Sequence, residues 1–190
     1  MLLLLSKDPT DNVGKSTLIQ NIKNEFNQTS FHALHYSAVK QKTAGSVQDY
    51  SSKLYYQMFD IMYNINREYQ DSGVICDRSH LGEMVYGPIY RDYTGEYVLE
   101  IEENFMHDTF WDDVYLITLY DEPENLVNRD DGLSFTTDLA KKKVEIDNFK
   151  NAHKKSNIKN KMLLNIKYHN EDQAIKAVKE FIERGIHGID

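Results

Sequence analysis

The opening of the chain limits its possible folds most. An apolar run, Leu2-Leu3-Leu4-Leu5, is followed by Asp11-Asn12-Val13-Gly14-Lys15-Ser16-Thr17, and then by Leu18, Ile19, Ile22 and Phe26 spaced along one face of a helix. Strand, glycine-bearing loop and helix in that order is the context a phosphate-binding loop requires. Backbone N–H groups around Gly14 and the helix N-terminus then point at phosphate oxygens. Lys15 adds a mobile positive charge for β- and γ-phosphates, and the Ser16 hydroxyl can ligate Mg2+. On this reading Asn12, Val13, Gly14, Lys15, Ser16 and Thr17 hold Mg·ATP. The plain alternative is a helix that merely begins Gly-Lys-Ser. The full pattern also places glycine where this chain has Pro9, which fixes φ and removes one N–H donor. The later amides still supply most of the cradle.

Strand and helix signals alternate along the 190 residues. Strands are expected at 2–6, 31–39, 74–76, 113–120 and 162–168. Helices are expected at 15–27, 47–70, 82–107 (interrupted near Thr94-Gly95), 122–129, 138–155 and 171–184. This order argues for an α/β fold in three layers, α/β/α, with a parallel five-stranded sheet and a small helical lid at about 129–156. The whole chain, 1–190, reads as one domain, and ligands of such sheets bind at the carboxyl ends of the strands.

Composition narrows the partners. A net charge of −8 and a pI near 5.4 argue against a general nucleic-acid binder, but not against a small anion held by a few local cations. The lone cysteine, Cys76, allows no internal disulfide and suits a reducing compartment. The leucine run is too short for a signal peptide and no basic stretch precedes it; no segment approaches the ~20 apolar residues of a membrane span. The expectation is a cytoplasmic protein that takes small-molecule nucleotides and contacts neither nucleic acid nor membrane.

A second motif follows the third strand: Asp77-Arg78-Ser79-His80-Leu81-Gly82-Glu83-Met84-Val85-Tyr86-Gly87-Pro88-Ile89-Tyr90-Arg91. Alone, an Asp-Arg pair is as readily a surface salt bridge. One βα unit beyond a phosphate loop it is more pointed. Arg78 can fork onto phosphate oxygens, while Asp77 can hold Mg2+ through water or orient the arginine.

Together these motifs resemble those of the thymidylate kinase family and its phage-encoded relatives, which have a P-loop kinase fold. That family's loop reads G-x-D-x-x-G-K-S-T, and Asp11 falls on its acid, which implies contact with a deoxyribose 3′-hydroxyl. Its second motif reads D-R-Y-x-x-S-x-x-A-Y. Asp77, Arg78 and Tyr86 match; Ser79 and Gly82 depart. The resemblance implies that Arg78 touches the transferred or acceptor phosphate and that Tyr86 lies under the sugar, disfavouring a 2′-hydroxyl. The fuller string through Arg91 looks like the phage-type subgroup, which would place the protein in a host cytoplasm. The stretch from Tyr120 to Arg129 resembles the entry to the family's mobile lid, so that Arg129 would reach ATP phosphates; otherwise it is a helix-end cation favoured by the dipole. Two family features are absent. Where an Arg-Glu-Pro grips the acceptor phosphate, this chain offers Lys40 as a point charge. On the long helix, where a phenylalanine and an arginine meet thymine, it has Tyr55, Tyr56, Gln57 and Phe59. Gln57 would bond a pyrimidine edge and Tyr56 or Phe59 would stack, with core packing expected for at least one of them. By analogy the protein would be a homodimer.

The function implied is Mg·ATP-dependent phosphoryl transfer to a deoxynucleoside monophosphate, dTMP to dTDP first among them. Lys15, Arg78, Asp77 and Arg129 would carry the catalysis, Ser16 and Asp77 the metal. Asp11, Lys40, Tyr56, Gln57, Phe59, Arg78 and Tyr86 would hold the acceptor. A deoxynucleoside kinase acting on a 5′-hydroxyl is the first alternative, with Asp77 as base. A catalytically impaired nucleotide-binding protein is the second, prompted by Pro9 and the missing Arg-Glu-Pro. His32, His35, His80 and His107 read as ordinary surface or core residues, Glu102-Glu103 and Asp112-Asp113 as solvated edges. Lys141-Lys142-Lys143 reads as a solvated face, and Cys76 as a small buried hydrophobe.

Overall fold

The computed structural model describes residues 1–7, 15–36, 44–69, 71–105, 109–130, 132 and 134–187. Five strands form one sheet: β1 (Leu2–Lys7), β2 (Ser30–His35), β3 (Ser72–Asp77), β4 (Val114–Tyr120) and β5 (Asn160–Asn165). Their order is β2-β3-β1-β4-β5 and every pairing is parallel, so all five carboxyl ends share one edge. Continuous apolar strands are what a sheet buried on both faces requires. In β4, Val114 to Leu119 are all buried.

Alternate side chains of those strands build two cores. Val74, Cys76, Val114 and Leu116 face a layer that includes α2 (Ala44–Glu68) and α4 (Tyr97–Asn104). Leu3, Ile75, Tyr115, Ile117 and Leu119 face α1 (Lys15–Glu25) and α7 (Glu171–His187). On α2 the inward stripe is Val47, Ser51, Tyr55, Met58, Phe59 and Met62, whereas Ile61 is exposed. Among the described residues no helix is long and apolar enough to cross a membrane.

The stretch expected as one interrupted helix at 82–107 is three pieces: α3 (Gly82–Tyr86), a π-helical turn (Gly87–Arg91) and α4. Pro88 brings no N–H to the junction, Asp92 takes a left-handed φ of 57°, and Gly95 has a φ of 71°. A Cβ on Gly95 would collide with the Glu83 carbonyl oxygen, so the return toward α4 demands glycine. The last strand is also shorter than expected. It ends at Asn165, whose side chain accepts from the Lys167 N–H and starts a 3-10 turn, Ile166–Tyr168. The expected extension of β2 over 37–39 lies outside the described residues.

After α5 (Pro123–Asn128), α6 (Leu139–Lys155) begins at Asp138, whose carboxylate accepts the Lys141 N–H at 2.8 Å. α6 packs on α3 and α5. Two sequence expectations are corrected here. Lys142 is not on a solvated face: it is fully buried, with its Nζ 3.0 Å from Glu145 Oε2. Glu145 is buried too and accepts the Tyr90 hydroxyl at 2.5 Å. Glu102 is likewise fully buried rather than an exposed edge. In each case a charge enters the interior because a partner meets it there; for Glu102 and Glu145 a partner comes from elsewhere in the fold, which leaves no mark in local composition.

Candidate active site

The site lies where β3, β1 and β4 end side by side. Leu5 of β1 pairs with Asp77 of β3, and Lys7 pairs with Leu119 of β4. The chain leaves β1 after Lys7 and re-enters as α1 at Lys15. The expected phosphate-loop residues Asp11, Asn12, Val13 and Gly14, together with Pro9 and Lys40, lie outside the described residues, as do the side chains of Lys15 and Ser16. Thr17 is exposed near the start of α1.

From β3 comes the Asp77-Arg78 pair. Asp77 is mostly buried and its Oδ2 lies 2.8 Å from His35 Nδ1, at the end of the adjoining β2. The Tyr36 N–H donates to the Asp77 carbonyl at 3.3 Å, so the two strands leave the sheet together. Arg78 has a φ of 77°, in the left-handed region. For a non-glycine residue this conformation costs roughly 1–2 kcal/mol, and such strain collects at functional sites. Glycine adopts that φ freely and alanine does not. Arg78→Gly is therefore expected to be more stable than Arg78→Ala by about 1 kcal/mol in denaturant titration, with both variants lacking the arginine's chemistry.

From β4 comes Arg129, at the end of α5. Its Nη2 donates to Asp121 Oδ2 and its Nε donates to the Asn125 carbonyl at 3.1 Å. Asp121 is buried just past β4 and also accepts from the Glu122 N–H at 2.7 Å and Asn125 Nδ2 at 2.9 Å. Arg129 is thus held at the strand edge by Asp121, an anchor that the sequence reading did not include.

A polar cluster forms on α3, the helix that follows the Arg78 turn. Glu83, on α3, is buried and accepts from Arg91 Nη1 at 2.7 Å, from the Tyr97 hydroxyl at 3.1 Å and from the Tyr93 hydroxyl. Arg91 also donates to the Tyr93 hydroxyl at 3.1 Å. Burial, then the bond to Glu83, pushes Tyr93 up to about 12. Tyr55, buried on α2, is raised chiefly by burial and next by the Glu83 charge, while Arg91 and Arg78 pull the other way. Glu83, Arg91 and Arg78 thus all act electrostatically on Tyr55.

The α2 residues expected at the base do not gather there. Phe59 is fully buried between His80, at a ring distance of 4.9 Å, and Trp111, at 5.4 Å, so it packs the core and has no face for a ligand. Tyr56 and Gln57 are exposed, and Tyr56 packs on Phe105 at 5.1 Å. Residue 55 holds the inward phase of the helix, and residues one and two further on turn away. A strict i, i+4 reading from Ser51 would have selected Tyr55. Tyr86 is half-buried under the segment that precedes α6, with Phe135 5.2 Å away and Phe149 5.8 Å away. Phe135 also stacks on Tyr90 at 5.0 Å and 23°.

Among the described residues no group of three or more His, Cys, Asp or Glu forms a metal cage. Mg2+ does not ask for one: it is held by one or two protein oxygens together with substrate phosphates. Asp77, with Oδ2 on His35, fits that donor set.

Three solved structures overlie almost the whole chain. The YorR protein from Bacillus subtilis, in complex with phosphorylated GDP, is 16% identical, covers 98% of both chains and gives a TM-score of 0.64. A thymidylate kinase from Candida albicans is 14% identical over 96% of this chain and 90% of its own, with a TM-score of 0.53. A deoxyadenosine kinase from M. mycoides with bound dCTP is 12% identical over 96% and 99%, with a TM-score of 0.54. The chain has the nucleotide-kinase fold. No family model matches it, and no curated protein matches it. Within that fold, the Asp77-Arg78 turn and the Asp121–Arg129 pair occupy the carboxyl edge of the sheet on either side of β1.

Proposed function

We propose that this protein is a Mg·ATP-dependent nucleotide kinase whose acceptor is a deoxynucleoside monophosphate, with dTMP the first choice. One observation carries the reading: β1, which leads to Gly14-Lys15-Ser16-Thr17, ends between the strand that delivers Arg78 and the strand whose end anchors Arg129. Phosphoryl transfer asks a protein mainly for alignment and charge neutralisation. Lys15 and the α1 N-terminus hold the donor phosphates, Ser16 and Asp77 hold the metal, and Mg2+ supplies further charge compensation when bound. Arg78 steadies the acceptor or transferring phosphoryl, Arg129 the donor side. A phosphate acceptor is already nucleophilic at neutral pH, so no general base is needed. Asp11, Lys40 and Tyr86 keep their expected roles toward sugar and acceptor phosphate. Tyr55 replaces Tyr56, Gln57 and Phe59 as the aromatic residue of α2 that feels the Arg78 charge. The segment at about 129–156 acts as the lid, and Phe135 over Tyr86 is its contact with the acceptor side. The protein works in the cytoplasm on small nucleotides, without nucleic acid or membrane, and pairs as a homodimer.

A deoxynucleoside kinase is the second reading, and the His35–Asp77 contact of 2.8 Å favours it: a carboxylate poised on an imidazole suits removal of a proton from a 5′-hydroxyl. A coupled ADP-release assay across the four dNMPs and four deoxynucleosides separates the two. The expected result is turnover with dTMP above all other acceptors. Turnover with deoxynucleosides alone reverses the choice, and none with any acceptor leaves the impaired nucleotide binder.

A further inference from the structure

His80 and Glu102 have no role in the chemistry above, yet both are fully buried two residues from Arg78 or in contact with that turn. His80 Nε2 lies 2.6 Å from Glu102 Oε1. Glu102 also accepts the Ser156 hydroxyl at 2.7 Å and the Asn157 N–H at 2.6 Å. Burial works to raise the Glu102 carboxyl, but these three bonds outweigh it and hold it below the usual range. Glu102 is thus an ionised acceptor, and the imidazole must carry its proton on Nε2. On its other sides the His80 ring meets Phe59 edge-on at 4.9 Å and Tyr55 at 6.4 Å. The ring is therefore fixed by a charged bond and by aromatic walls. Between it and Arg78 stands only Ser79, itself buried, whose hydroxyl accepts the Leu81 N–H at 3.4 Å.

A left-handed arginine persists only where its surroundings over-determine it. We propose that His80 is a positioning residue for Arg78: clamped by Glu102 and the Phe59 ring, it holds the left-handed turn that presents the Arg78 guanidinium at the carboxyl edge of the sheet. The same carboxylate fastens the chain just past α6, so one buried group ties the arginine's turn to the end of the helix that closes the expected lid segment.

The kinetic arm rests on the kinase reading; the structural arm does not. In His80→Phe the ring volume stays and the donor goes, while in His80→Gln the amide nitrogen stands near the Nε2 position. With folded protein, His80→Phe is expected to lower kcat by about tenfold or more, since small misplacements of catalytic groups cost up to about a hundredfold. The KM for ATP should stay within about twofold and His80→Gln should recover to within about threefold of wild type. Crystal structures are expected to show Arg78 at negative φ in His80→Phe and at positive φ in His80→Gln. Wild-type kcat in His80→Phe, or an unchanged left-handed Arg78, overturns the proposal. If His80→Phe does not fold, His80→Met is read by the same criteria. If neither folds while His80→Gln does, the bond serves the fold itself and the proposal falls. Should the wild type transfer no phosphoryl group to any acceptor, the kinase reading fails, and the Arg78 backbone angle alone decides the matter.

Discussion

Lys15→Ala is expected to leave a folded protein without phosphoryl transfer. The residue opens α1, while the packing of that helix is carried by Leu18 and Ile22 further along, which are buried in the α1–α7 core. Removing the ammonium therefore leaves the core intact. On the proposed reading its charge meets the charge that develops on the transferring phosphoryl group. Loss of one such preorganised group costs about 10²–10³ in rate, roughly 3–4 kcal/mol of transition-state stabilisation. The expected readout is an unchanged melting temperature with kcat reduced by about that factor. Wild-type turnover in this variant would remove the phosphate-loop mechanism, and with it the reason for reading Arg78 and Arg129 as its neighbours.

Glu83→Ala is expected to produce the largest loss of stability. One buried carboxylate serves Arg91, Tyr93 and Tyr97, and the Arg91 side chain is only 13% exposed. Deleting the acid strands a buried guanidinium and two hydroxyls. Breaking a buried pair from one side costs about 3–5 kcal/mol, and at about 2–4 °C per kcal/mol for a chain of this size the melting temperature should fall by roughly 6–20 °C. Glu83→Gln keeps one acceptor and should lose less. The alanine variant should also lose activity beyond its stability loss, because Glu83 stands on α3, the helix that follows the turn at Arg78. A melting temperature within about 2 °C of wild type would mean that water reaches the stranded groups and the cluster is not sealed.

Much of this architecture could be read along the chain. The alternation of apolar runs with amphipathic stretches located the strands and long helices to within a few residues, because a sheet covered on both faces forces near-continuous apolar strands. Asp77 and Arg78 were found because they follow such a run one βα unit beyond a phosphate-loop string. The misassigned residues share a different property. Glu102 and Lys142 looked solvated because charges usually are; Glu102 is buried because Ser156 and Asn157, far away in sequence, satisfy it, and Lys142 because it pairs with Glu145, which the distant Tyr90 satisfies in turn. Tyr56 and Gln57 looked available because helix phase read from sequence is ambiguous by one or two residues, enough to put them in the place of Tyr55; Phe59 shares the face of Tyr55 but is taken up by the core.

The sequence by itself determined the α/β character of the chain, the phosphate-loop string and the identity of the Asp-Arg dipeptide, since local pattern and residue chemistry are written in adjacent positions. Only the tertiary structure decided which α2 side chains are buried, that Arg78 bends left-handed, and that Arg129 rests on Asp121. Those outcomes depend on contacts between segments distant along the chain, where burial sets the energy of a charge or a strained angle only once its partner from another element has arrived.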